Sequence, residues 1–238
     1  MCLSDIMGNY FLSVCHNTKH MKAKFINPQW NSKCALDPLN IDFVQIGSNC
    51  GTDSCANCGE PVWKDATHYG WKGTVVEPNP RVFEELKQNY SPYKNVKAVR
   101  TAVCENTGTA NLFVPNDYTT QISSLKKGHL SKHGSTNINT VQVPCLTLED
   151  FWTQHVTPRH DKVDILDIDI EGMDHKIIHS TSFDKLSPQP TCVLYENAHI
   201  PDDEKQQTQR HLKQFGYTRF EPWRGCGRDD FDMLACKE

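Results

Sequence analysis

Carboxylates recur where apolar runs of this chain end. Asp167-Ile168-Asp169-Ile170-Glu171-Gly172 closes VDILDIDI (163–170), the strongest strand signal in the sequence. Period-two alternation puts Asp167, Asp169 and Glu171 on one side of an otherwise apolar strand, a costly arrangement if buried without partners. At the carboxyl end of a strand such groups can act as a general base or as hard oxygen ligands for Mg²⁺. The next apolar run, CVLYE (192–196), ends similarly in Glu196-Asn197, with His199 close behind. A further acid, Glu77, opens the turn Glu77-Pro78-Asn79-Pro80 and stands where an acid can accept both hydroxyls of a ribose. Gly47-Ser48-Asn49-Cys50-Gly51 follows the first apolar run. Its two glycines let the backbone turn sharply and approach a ligand, and a helix N-terminus behind them can hold an anionic group. This spacing is not the G-x-G-x-x-G of dinucleotide binders, which lowers a nicotinamide reading. The glycine turn and Glu77 together signal a nucleoside cofactor; read separately, they are a tight strand–helix turn and a helix-capping acid.

The elements that must position these residues alternate. Strand-like runs fall at 41–47 (IDFVQIG), 73–80, 96–103 (VKAVRTAV), 109–115 (TANLFVP), 163–170 and 192–196. Helical patterns fall at RVFEELKQNY (81–90) and DDEKQQTQRHLKQFG (202–216). Strands alternating with helices imply a doubly wound α/β fold, a mostly parallel sheet with helices on both faces. YTRFEPW (217–223) and DFDMLACKE (230–238) lie too close for a helical crossover, so they form an antiparallel hairpin at one edge. Residues 1–40 show no clear period and read as an N-terminal extension packing on a domain at 41–238. The polar, turn-rich stretch 116–140 is the kind of long loop that more often carries function than not.

Composition narrows the partners. The chain has 238 residues, with 25 Lys plus Arg against 29 Asp plus Glu, a net charge of −4. An acidic balance without a basic stripe argues against a nucleic-acid partner. No apolar run reaches the length needed to span a bilayer, and the start lacks the features of a signal peptide, so the expected setting is cytoplasmic. The 11 cysteines are irregularly spaced. Cys104, Cys145, Cys192 and Cys236 sit in strand-like runs and are expected to be reduced thiols in the core. Cys55 and Cys58 form half of a zinc knuckle for which no second C-x-x-C exists.

Several ordered segments resemble one family. IDFVQIGSNCGTDS, VVEPNP, TAVCENTGTANLF, CLTLEDF and VDILDIDIEGMDHKII, in that order, are similar to the FkbM-type S-adenosylmethionine-dependent methyltransferases, from about Ile41 to Phe220. The resemblance implies a Rossmann-like class I fold with a seven-stranded sheet, and S-adenosylmethionine as cofactor. Gly47, Asn49 and Gly51, with Gln45 and Ser48 in the same segment, match the motif that wraps the methionine end. Glu77, followed by Pro78, matches the ribose acid, and Ala102 the adenine-pocket region. Asp169, Glu171 and Gly172 match the D-x-E-G in which Asp169 lies nearest the transferred methyl. Thr147-Leu148 matches a structural T-L entering a helix, and Glu196 the acid ending the following strand. Gln45 stands where the family usually has an acid, and Asp167 where a Lys is common.

The chemistry implied is in-line methyl transfer to a hydroxyl of a sugar or glycan. Such a hydroxyl needs a carboxylate, an imidazole or a divalent metal to draw off its proton. Asp169 is the first candidate, with His175 and His199 as alternative bases. Asp169, Glu196 and Asn197 are candidate ligands for Mg²⁺ or another divalent cation. Acceptor recognition is expected in residues 1–40 and 116–140, through Tyr118, His129 and His133. Arg219, Arg224, Arg228, Lys126 and Lys127 are candidates for gripping a phosphate or an acidic sugar. An RNA or small-molecule acceptor and a degenerate binding module remain the alternatives.

Overall fold

A computed structural model describes residues 36–52, 62–115, 123–126, 130, 137–170, 172–197, 200–223 and 232–237. Strands β1 (Asp42–Ile46), β2 (Lys72–Val76) and β3 (Val96–Val99) lie on one side of the main sheet. On the other lie β7 (Ile165–Ile168), β8 (Cys192–Glu196), β9 (Tyr217–Trp223) and β10 (Asp232–Lys237). The order is β3-β2-β1-β7-β8-β10-β9. Pairing is parallel except where β10 runs antiparallel to both β8 and β9, as the short connection requires. The chain order reverses between β1 and β7, which makes their carboxyl ends the switch point of the fold.

β1 is buried along its whole length because both faces of a doubly wound sheet are covered. One face packs Val44, Ile46, Leu166 and Ile168 against Ile177, Ile178 and Leu212. The other packs Phe43, Val75, Ile165 and Leu194 with Trp71 and Leu86. The helices on these faces are α1 (Trp63–Tyr69), α2 (Pro80–Tyr90), α3 (Leu148–Phe151, continuing as a π-helix over Trp152–Val156), α4 (Asp174–Ser180) and α5 (Asp202–Lys213). Local chemistry sets their ends. Asn79 caps α2 by accepting from the Arg81 amide, with Pro80 at the first helical position. Acids fill the first turn of α5 and bases its last, complementing the helix dipole.

The amino ends of the strands are tied by a buried polar relay. His160, 3% exposed, joins Asp42 Oδ2 through Nδ1 at 3.0 Å and Thr74 Oγ1 through Nε2 at 3.0 Å. Lys72 stands 3.6 Å from the same carboxylate, and the Asp42 amide donates to Asp164 Oδ2 at 2.8 Å. Burial pushes the His160 imidazole below its ordinary pKa, so the neutral ring is the native form.

The structure departs from the sequence reading in three places. The run 96–103 divides at Arg100-Thr101: β3 belongs to the main sheet and β4 (Ala102–Val103) to a second one. That second sheet, β4-β6-β5, contains β5 (Gly108–Pro115) and an unforeseen strand, β6 (Ile138–Leu146), which begins inside the stretch read as a loop. The expected free thiols are corrected for four cysteines. Cys104 pairs with Cys145 as a disulfide, their Cα atoms 6.1 Å apart, and Cys192 pairs with Cys236, facing it across β8 and β10.

Candidate functional site

The loop leaving β1 is held from both sides. The amides of Gly47 and Ser48 both donate to Val76 O, at 3.0 and 2.8 Å, which fastens the loop to the end of β2. Ser48 is fully buried; its hydroxyl donates to Gln45 O and accepts from the Val76 amide, each at 3.0 Å. That hydroxyl therefore completes the sheet and is not available to a cofactor. Gly47 has φ +84°, and a Cβ there would lie 1.8 Å from the Asp169 carbonyl oxygen. Only glycine lets the end of β1 come this close to the end of β7. Gly51, φ +70°, presses on Leu86 and Tyr90 of α2, so its role is packing. Asn49 takes φ 47°, and its side chain accepts from the Cys50 amide at 2.8 Å.

Glu77 follows β2 and is 6% exposed. Burial pushes its carboxyl up to about 7, against the pull of backbone amides at Asn79 and Asn49. The Asn79 amide donates to Oε1 at 2.7 Å. The glycine loop thus touches both acids, Asp169 through Gly47 and Glu77 through Asn49. Asp169 lies just past the end of β7, its amide donating to Ile46 O at 2.9 Å and its side chain exposed.

Gln45 and Asp167 are neighbours. They occupy one register position of the β1–β7 ladder, and both are buried, at 1% and 2% exposure. The two departures from the family pattern therefore fall side by side, with the acid on β7 instead of β1.

Other candidates are placed differently. His175, 3% exposed, is turned into the seam between α4 and α5, where Nδ1 meets Thr208 Oγ1 at 2.6 Å and the ring packs edge-on against Tyr195. Burial lowers its pKa. This imidazole braces two helices. The Ala102 methyl is taken up by the small-sheet core with Leu112, Val143 and Cys145. Glu196 and Asn197 end β8, Glu196 half-buried and Asn197 9% exposed. Among the described residues no three His, Cys, Asp or Glu side chains come together as a metal cluster. Arg219 is engaged within β9, its Nε donating to Glu221 Oε1 at 2.6 Å. Glu171, His199, Tyr118, His129, His133, Lys127, Arg224, Arg228 and the Cys55–Cys58 pair lie outside the described residues.

Asp174, the first residue of α4, was not anticipated. It is 1% exposed, and burial, reinforced by the Glu196 carboxylate, raises its carboxyl well above the usual range. In the sequence it reads as an ordinary helix-start acid, and nothing there reveals its burial.

Comparison with known proteins agrees with this geometry. The methyltransferase FkbM domain matches residues 46–226, well over half of the chain. No curated protein matches the chain in sequence. Among solved structures, a methyltransferase FkbM from Methylobacillus flagellatus KT superposes with a TM-score of 0.52 at 13% identity. The match covers 83% of this chain and 44% of that one. The METTL16 MTase domain superposes with a TM-score of 0.51 at 14% identity, covering 88% of this chain and 65% of that one. The chain thus spans less than two thirds of either structure, and at these identities the likeness is one of fold. The domain match, the class I strand order and the three loops meeting at the switch point agree: the chain belongs to the FkbM family and carries its S-adenosylmethionine-dependent methyltransferase domain.

Proposed function

We propose that the chain transfers the methyl group of S-adenosylmethionine to a hydroxyl of a sugar or glycan. The observation that supports the donor half of this reading is the double contact of one glycine loop, with Asp169 through Gly47 and with Glu77 through Asn49. Glu77 and Asp169 follow β2 and β7, the two strands that flank β1, and the carboxyl ends of strands are where ligands bind in open α/β sheets. The residues fit the cofactor: a backbone loop for its methionine end, and a buried carboxylate fastened by amides for its ribose hydroxyls. When bound, S-adenosylmethionine supplies a methyl already activated on a sulfonium. The protein's task is then alignment and removal of one proton. Asp169, exposed at the end of β7, is the carboxylate that accepts the acceptor hydroxyl's proton as the oxygen attacks.

Residues 41–238 form the methyltransferase domain on this reading, with residues 1–40 as an extension over it. Leu36, packed into the core beside Trp71, supports the placement, as does the Trp71 indole donating to Pro38 O at 2.9 Å.

The test uses purified protein, labelled S-adenosylmethionine and a panel of glycans. The wild type labels at least one glycan. Asp169→Asn is expected to lower transfer by about 100-fold or more, with affinity for S-adenosylhomocysteine changed only a few-fold. Full transfer by this variant removes Asp169 from the role of base.

A further inference from the structure

Besides the helical bond that its carbonyl accepts from the Phe83 amide, Asn79 bonds to three different parts of the molecule through its own N–H and side chain. Its amide donates to Glu77 Oε1 at 2.7 Å, its Oδ1 accepts from the Arg81 amide at 3.1 Å, and its Nδ2 donates to Ser123 Oγ at 3.0 Å. The first bond belongs to the cofactor acid and the second caps α2. The third reaches a distant segment, 44 residues along the chain. Residues 123–126 form a strap lying on β5, with Phe113 and Ser124 exchanging backbone bonds at 2.9 and 3.1 Å. The Lys126 amide donates to Ser124 Oγ at 3.0 Å, and Leu125 packs on the small-sheet core.

We infer that Asn79 is a positioning residue that couples the donor half of the site to the 123–126 strap, so that cofactor binding tightens the strap on β5. The inference rests on Glu77 being the ribose acid. The differential contact lies at that carboxyl, where a ligand can bias one conformation over another. With its pKa at about 7, Glu77 exchanges between neutral and ionised forms near neutrality. Two ribose hydroxyls donating to it hold it ionised, and an ionised carboxylate binds the Asn79 amide about twice as strongly as a neutral one. A better-held Asn79 holds Ser123 in turn. By reciprocity, a strap held from outside favours the cofactor. The cofactor thereby organises a surface beside its own ribose, on the segment from which acceptor recognition is expected, and donor binding precedes acceptor binding.

The experiment is amide hydrogen exchange by NMR on the intact protein, with and without S-adenosylhomocysteine, reading Phe113, Ser124 and Lys126. Calorimetry measures S-adenosylhomocysteine affinity in the same samples. In the wild type, the ligand is expected to slow exchange at these three amides by about 3- to 10-fold, the worth of one hydrogen bond. Ser123→Ala and Asn79→Ser are expected to lose the slowing and, by the same reciprocity, to bind the ligand about 3- to 10-fold more weakly than the wild type. A serine at position 79 retains the backbone amide and the helix cap while falling short of Ser123. Ser123→Thr, which keeps the hydroxyl, is expected to retain it. Unchanged slowing in Ser123→Ala, or none in the wild type despite ligand binding, overturns the coupling. Absence of binding by the wild type overturns instead the cofactor reading on which it rests.

Discussion

Glu77 answers to two opposing demands, since its burial favours the neutral acid and ribose hydroxyls favour the carboxylate. If the ionised form is the one that binds, affinity for S-adenosylhomocysteine rises with pH up to about 7 and levels off above it. Below that point it falls toward tenfold per pH unit. Glu77→Gln is expected to bind at least about 10-fold more weakly at pH 8 and to show no such slope; calorimetry between pH 5.5 and 8.5 decides it. A slope that persists in the Gln variant places the titration elsewhere. At this scale the sequence was legible where a residue type is itself demanding. Gly47 and Glu77 stand out because a close backbone approach and a carboxylate at a strand end have few alternatives. Ser48 and His175 were not legible. A serine completing a ladder and a serine facing a ligand have identical letters and neighbours, and only the third dimension separates them.

Elements are joined at the end of the sheet opposite the crevice by His160, which links the loop before β7 to β1 through Asp42 and to β2 through Thr74. Replacing it with alanine leaves a carboxylate and a hydroxyl buried without this partner. His160→Ala is expected to cost about 2–4 kcal/mol, measured as the loss in denaturant midpoint at unchanged slope. A cost under about 0.5 kcal/mol removes the relay from the account of stability. The strands of the main sheet were legible because burial on both faces writes them as apolar runs. β6 was not, since its burial alternates and Pro144 interrupts the pattern. Pro144 sits in the middle strand of the small sheet, opposite Thr109 of β5 and one residue before the pairing with β4 begins. The division of 96–103 was equally hidden, because β3 and β4 are both β-prone and only their partners differ.

The whole molecule feels two sets of titrating groups, wholly or partly buried, that pull in opposite directions. Burial lowers the pKa of His155, His160, His175 and His179, so their contribution to stability is complete above about 6.5 and is lost as pH falls. Glu77 is raised from 4.5 to about 7, so its contribution is complete below 4.5 and is lost as pH rises through 7. Asp174 and Asp232, also raised by burial, act in the same direction, and removing Glu77 takes away one of these three opposing groups. The melting temperature of Glu77→Gln is therefore expected to climb more steeply than that of the wild type between about pH 5 and 7, and thermal scans across that range check it. An equal or shallower climb contradicts the assignment. The disulfides are also a property of the whole chain. Peptide mapping without reductant is expected to recover Cys104 linked to Cys145 and Cys192 linked to Cys236; quantitative alkylation of all four in unreduced protein rejects both pairings.

The shared register of Gln45 and Asp167 constrains ancestry as well as chemistry. An acid on β1 facing a lysine on β7, the pairing common in the family, cannot be exchanged for an amide facing an acid by one substitution. Changing position 45 first strands a cation beside an amide in the interior, and changing position 167 first sets two negative groups against each other. Descent between the two arrangements must cross one of these handicapped forms or alter both codons together, so the two sites are expected to travel through lineages as a linked unit.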